Sequence, residues 1–156
     1  MGKKRKILIC TVGFTPESII LGINDYKPDY CIFLPSDKSK DKIGLILDSN
    51  QLTYKSFKYE QILLKNVFDF QQCIKDSRDA VNKALSMVSN ENDICVNFIS
   101  GTSIMTAGIT IASYSHNLKG MYYKCEDYDY VGDPRGKCLV MYFRFQESLA
   151  DLANIS

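Results

Sequence analysis

The sequence predicts an α/β fold: a doubly wound, mostly parallel sheet of about six strands with an antiparallel C-terminal edge pair. Three observations carry that reading. Short, almost wholly apolar runs, as expected for strands covered on both faces, alternate with segments of helical periodicity. Two of these runs end at small residues that include a glycine and pass directly into a helix start. The last two runs are joined without the helical crossover that parallel neighbours require.

Lys6–Val12 is the first strand. Thr15 can cap the following helix, with Pro16 at its first position and Ile19, Ile20 and Ile23 as its buried stripe. Tyr30–Leu34 is the second strand and leads into Pro35-Ser36-Asp37-Lys38. Ser39 to Leu52 is expected to be helical, with Ile43, Ile46 and Leu47 facing inward, and Phe57–Leu64 is the third strand. The clearest helix comes next. Asp69 and Gln72 make a capping-box-like start, and Cys73, Ile74, Val81, Ala84, Leu85 and Val88 recur at helical spacing. Asp93–Ile99 is the fourth strand, and Thr102 to about Ser115 is the helix after it. Met121–Cys125 and Cys138–Phe145 close the sheet around a tyrosine-rich loop whose turn is Asp133-Pro134-Arg135-Gly136.

The 156 residues are expected to form one domain over positions 1–146, burying about two-thirds of the unfolded surface. Positions 147–156 are a tail in which Leu149, Leu152 and Ile155 lie at helical spacing. A formal net charge of +1 argues against general DNA or RNA binding, which calls for a basic excess. Lys3-Lys4-Arg5-Lys6 reads as a solvated lead-in to the first strand. The six cysteines form no CxxC pair, and most sit in or beside apolar runs. Buried free thiols in a reducing, cytoplasmic setting are expected. No apolar run reaches the roughly 18 residues of a membrane span. The single histidine, His116, stands near a helix end, where it suits the dipole. No metal site or cofactor is expected; Asp127, Asp129 and Asp133 lack the spacing of a calcium loop. Tyr122, Tyr123, Tyr128 and Tyr130 can stack on bases or simply belong to strand and loop.

The segment from Asn92 to Gly108 reads NDICVNFISGTSIMTAG and is the most informative in the chain. An apolar strand delivers Ser100-Gly101-Thr102-Ser103 to a helix start. Backbone N–H groups, the helix dipole and short hydroxyl side chains there build an anion site. Capping alone accounts for Thr102 and Gly101. It leaves unexplained four small or hydroxylated residues in succession, followed by Met105, Thr106, Ala107 and Gly108. A weaker echo follows the first strand at Gly13-Phe14-Thr15-Pro16-Glu17. It contains neither GxGxxG nor GxxxxGK[ST]. Glu17 would repel a phosphate, so Phe14 and Thr15 would meet a base or ribose, unless the junction is merely a capped helix start.

Together, Thr11-Val12-Gly13-Phe14-Thr15-Pro16 and Ser100-Gly101-Thr102-Ser103-Ile104-Met105, in this element order, resemble a CARF domain, the CRISPR-associated Rossmann-fold sensor. The resemblance spans roughly Lys6 to Phe145. It implies a Rossmann-like homodimer that binds cyclic oligoadenylate, the second messenger of type III CRISPR antiviral defence, and relays binding to a fused or tethered effector. The ring's symmetry suits a two-fold dimer. By position, Gly13, Phe14, Thr15 and Pro16 would line the ring from one side. Ser100, Gly101, Thr102, Ser103, Met105 and Thr106 would hold phosphate and ribose at its centre. Ser36, Asp37 and Lys38 would contact adenine.

The chain departs from the family in one respect. The second motif is commonly Gly-Thr-Lys, and here Ser103 takes the third place. In relatives that cleave the messenger that lysine stabilises developing charge, so its absence favours binding without rapid destruction. Three functions stay open: a cyclic oligoadenylate sensor, cyclic tetra-adenylate being the expected ring; a metal-independent ring nuclease with Lys38 or Lys124 supplying the cation; and an α/β domain for a mononucleotide or phosphorylated metabolite. No catalytic residue is assigned.

Overall fold

In the computed structural model, which describes residues 5–128 and 134–147, ten main elements follow in order. They are β1 (Ile7–Val12), α1 (Pro16–Tyr26), β2 (Tyr30–Pro35), α2 (Lys42–Asp48), β3 (Lys58–Gln61), α3 (Phe70–Met87), β4 (Ile94–Asn97), α4 (Ser103–Tyr114), β5 (Lys119–Tyr128) and β6 (Pro134–Arg144). The six strands form one sheet in the order β3-β2-β1-β4-β5-β6. All pairs are parallel except β5 with β6. The predicted fold class is what forms.

Every residue of β1 is buried, because helices cover the sheet on both sides. Leu8, Cys10 and Val12 meet Ile19, Ile20 and Ile23 of α1 and Ile43 and Ile46 of α2 on one face. Ile7 and Ile9 meet Ala80, Val81 and Ala84 of α3 and Met105, Ile109 and Ala112 of α4 on the other. A strand apolar at every position but Thr11 therefore feeds two cores at once. Burial pushes the Cys10, Cys31 and Cys95 thiols up, Cys95 to about 12. These three are free, as is Cys73.

Several expectations need correction. Cys138 is disulfide-bonded, not a free thiol, and it stands opposite Cys125 in the β5–β6 register. Directly opposed residues of an antiparallel pair already lie within the Cα spacing a disulfide needs. The closing strands are also longer than their apolar runs. Pro134, Arg135 and Gly136 belong to β6 rather than to a turn, since a ladder needs only backbone partners and tolerates polar side chains. Positions 129–133 and the tail from 148, with Tyr130, Asp129 and Asp133 among them, lie outside the described residues. Helix α2 is shorter than predicted, and β3 ends at Gln61 although Ile62 and Leu64 still donate to Phe33 and Pro35.

The helix caps divide. Thr102 Oγ1 accepts from Met105 N at the start of α4, and Asp69 Oδ1 accepts from Gln72 N at the start of α3. The Gln72 side chain turns forward to Asp76 instead of closing a capping box. Thr15 occupies the N-cap of α1 but makes no side-chain cap bond. No helix among the described residues is long and apolar enough to cross a membrane.

Candidate functional site

Strand order reverses between β1 and β4: β2 lies beside β1 on one side, and the chain returns to β4 on the other. Ligands of open α/β sheets sit outside the carboxyl ends of the strands at such a switch point. Here the two glycine-bearing junctions meet. Gly13 N donates to Ser100 Oγ (3.1 Å), and Ser100 Oγ donates to the Thr15 carbonyl (3.0 Å). A Cβ on Gly13 would fall 1.8 Å from the Ser100 carbonyl oxygen, so only glycine permits this approach. Gly101 is also tight, though less so: a Cβ there would lie 2.9 Å from Thr11 Oγ1.

A third loop is tied to the same point. Ser39 Oγ donates to the Val12 carbonyl (2.6 Å) and accepts from Ser36 N (2.9 Å). The turn after β2 is thereby held against the end of β1. Below the junction, buried Asn97 donates through Nδ2 to the Ser18 carbonyl and to Tyr123 Oη, and Tyr123 also bonds the Ser18 carbonyl. This polar cluster fixes the end of β4 against α1 and β5.

These loops enclose a cavity of about 390 Å³. Gly13 and Phe14 line it from the first junction, Thr102, Ser103 and Met105 from the second, and Ser36 and Lys38 from the turn after β2. Seven of the thirteen residues singled out in the sequence thus share one cavity wall. The first turn of α4, with its positive dipole end, forms part of that wall. Among the described residues, Lys38 is the one charged residue on the lining. The walls are otherwise apolar side chains and hydroxyls, chemistry suited to a base and sugar beside a phosphate.

The remaining predicted residues lie elsewhere. The Ser100 hydroxyl is consumed between the two loops, and Thr15 and Pro16 shape the α1 start without lining the cavity. Asp37 lines an adjoining hollow of about 160 Å³ and pairs with Lys40 at 3.0 Å. Thr106 donates to the Phe98 carbonyl at 3.1 Å, and with Gly101 it lines a shallow groove of about 510 Å³ along α4. Ser103 borders both the groove and the cavity.

Four lining residues escaped the sequence reading: Ser39, Val67, Phe68 and Ile104. The sequence places Ser39 at a helix start, and Ile104 stands within the Ser100–Met105 motif without being singled out as a contact. Val67 and Phe68 come from the β3–α3 loop, whose strand-end position beside the switch point follows only from the sheet order. Larger clefts of about 700 and 550 Å³ open at the other, N-terminal ends of the strands, around Arg5 and Lys58 and around Lys6 and Lys119. They lack the converging helix start and glycine loops, so the smaller cavity is the candidate.

No protein-family model and no curated protein matches the sequence. Among solved structures, the chain is similar to Can2 from Sulfobacillus thermosulfidooxidans in complex with cyclic tetra-adenylate, with a TM-score of 0.58 and 12% identity over 75% of this chain. The match covers 31% of that Can2 chain, so this protein corresponds to under a third of its length. At such identity the likeness is one of fold. On that ground the Rossmann-like α/β fold that the resemblance implied is borne out.

Proposed function

We propose that this chain is a sensor domain, over positions 1–146, that binds cyclic oligoadenylate, with cyclic tetra-adenylate as the ring. The observation that carries the reading is the cavity at the switch point, where the Gly13 loop, the α4 start and Lys38 converge. It is supported by the fold shared with a protein solved with cyclic tetra-adenylate bound. Phosphates of the ring would meet Thr102, Ser103 and the α4 dipole, and Lys38 would supply the positive charge.

The domain acts as a two-fold dimer in this reading. The groove along α4 carries Thr106, Ala107, Thr110 and Ile111 at helical spacing and continues into the cavity through Ser103. A second α4 packed there brings two cavities to one axis, where a symmetric ring contacts both equally. Binding then shifts the subunits against each other and passes that shift to an effector through positions 147–156. Ser103 in place of a lysine makes binding, rather than cleavage, the function.

Titration calorimetry with cyclic tetra-adenylate tests this. One ring per two chains is expected. One ligand per chain, with adenosine monophosphate binding as well as the ring, would instead favour a mononucleotide-binding domain. No heat with cyclic tetra- or hexa-adenylate at micromolar protein sinks the sensor reading.

A further inference from the structure

Phe68 is 81% exposed, more than any other large apolar side chain among the described residues. It stabilises little in the fold, yet the loop beneath it is firmly built. Leu64 is buried, and its N–H donates to the Pro35 carbonyl at 2.8 Å. Lys65 N donates to Oδ2 of Asp76, a buried carboxylate whose Oδ1 accepts from Gln72 Nε2. Asn66 closes a tight turn: its Oδ1 accepts from Phe68 N at 3.0 Å, and its carbonyl accepts from Asp69 N at 3.2 Å. Asp69 then caps α3. The backbone of Phe68 is therefore fixed on both sides while its ring faces solvent.

That ring lines the candidate cavity, as does Phe14, which is 66% exposed. Two aromatic rings from separate loops stand on one cavity whose hydroxyls and single lysine suit phosphate and sugar. A nucleotide also brings planar bases, and each needs an apolar face. Aromatic side chains provide that face for any base.

We infer that Phe68 is a nucleobase-stacking platform of this site, taking the adenine of a ligand whose phosphates lie at the α4 start. The inference rests on the proposed function and adds a base-binding residue from the β3–α3 loop. A fixed loop lets the ring stack without the entropy loss of ordering it first. Because stacking does not read base edges, Phe68 sets affinity, and discrimination among bases belongs to polar groups of the rim.

The chain contains no tryptophan, so Phe68→Trp installs a unique reporter. Leu45→Trp, at an exposed position of α2 away from the cavity, serves as control. Cyclic tetra-adenylate and adenosine monophosphate are titrated separately into each. Saturable quenching of the Trp at position 68 but not of that at 45 is expected. In parallel, Phe68→Ala is expected to weaken ring binding about tenfold, the scale of one lost base–aromatic stack, with an unchanged melting temperature. Wild-type binding that Phe68→Ala leaves within twofold overturns the platform and spares the sensor reading. A wild type blind to the ring, with adenosine monophosphate still quenching the reporter, overturns the ring reading and keeps the platform. Absence of quenching by both ligands overturns the platform.

Discussion

Ser100 Oγ lies 3.1 Å from Gly13 N and 3.0 Å from the Thr15 carbonyl, so one hydroxyl joins the loop after β4 to the loop after β1. Ser100 is 6% exposed. The bond is buried, spans 87 residues of sequence, and holds the two halves of the switch point at the separation that shapes the cavity. The serine that begins the Ser-Gly-Thr-Ser run thus builds the site without facing a ligand.

Removing that hydroxyl leaves a buried N–H without its acceptor. Ser100→Ala is expected to lower stability by about 1–3 kcal/mol and to weaken cyclic tetra-adenylate binding. Gly13→Ala acts more severely, because its Cβ would sit 1.8 Å from a backbone oxygen. A loss of about 3 kcal/mol, the upper end for overpacking, and no detectable ring binding are expected. Urea unfolding and calorimetry on both variants check this; wild-type values for Gly13→Ala would refute the geometry.

The α4 groove predicts its own disruption. Thr110→Arg places a long cation where small side chains line a shallow, partly apolar groove. Sedimentation should show a monomer with unchanged helicity, and ring binding should fall with the dimer. A dimeric Thr110→Arg would place the two-fold face elsewhere.

Lys38 brings a cation to the cavity from the turn after β2, and Ser103 brings a neutral hydroxyl at the α4 start. Lys38→Ala is expected to reduce affinity about tenfold and to flatten its dependence on salt, as loss of one phosphate-facing cation does. Ser103→Lys places a cation at the helix start and, on the proposed function, is expected to confer slow ring cleavage. Chromatography of labelled ring incubated in EDTA reads the outcome. Rapid cleavage by the wild type would reverse the assignment.

The buried thiols set an alkaline limit. Burial raises the thiols of Cys10, Cys31 and Cys95 above the ordinary value of 9.0. Below that value both folded and unfolded chains keep these protons, and the thiols contribute no pH dependence. Above it the unfolded chain ionises while the folded chain resists, so stability falls as pH rises. Urea midpoints should therefore be level in this respect from pH 7 to about 8.5 and decline beyond. Iodoacetamide should label the three only as unfolding begins.

The strand and helix order was legible because each element announces itself locally. Ile7–Val12 is buried on both faces and can hold no polar alternation. Asp69 and Thr102 cap their helices through neighbours three residues away. The two glycine junctions were legible for the same reason: a turn into a helix is a local event with few suitable residues.

The rest required pairing across the fold. Which serine faces the cavity and which faces a partner loop depends on contacts between residues some 87 positions apart. The sequence reading therefore grouped Ser100 with Thr102 and Ser103. Thr15 looked like a cap, but its side chain makes no cap bond and its carbonyl serves Ser100 and Ser18 instead.

Local periodicity and turn chemistry were sufficient for the α/β class, the capped starts of α3 and α4, and the location of the two glycine junctions. Strand order belonged to the tertiary structure, and with it the arrival of the β3–α3 loop beside Gly13. A loop's pattern records how its own backbone turns, not which cavity its exposed ring will border. Phe68 is the clearest case, an unremarked aromatic before a cap that sheet order β3-β2-β1-β4 carries to the candidate site.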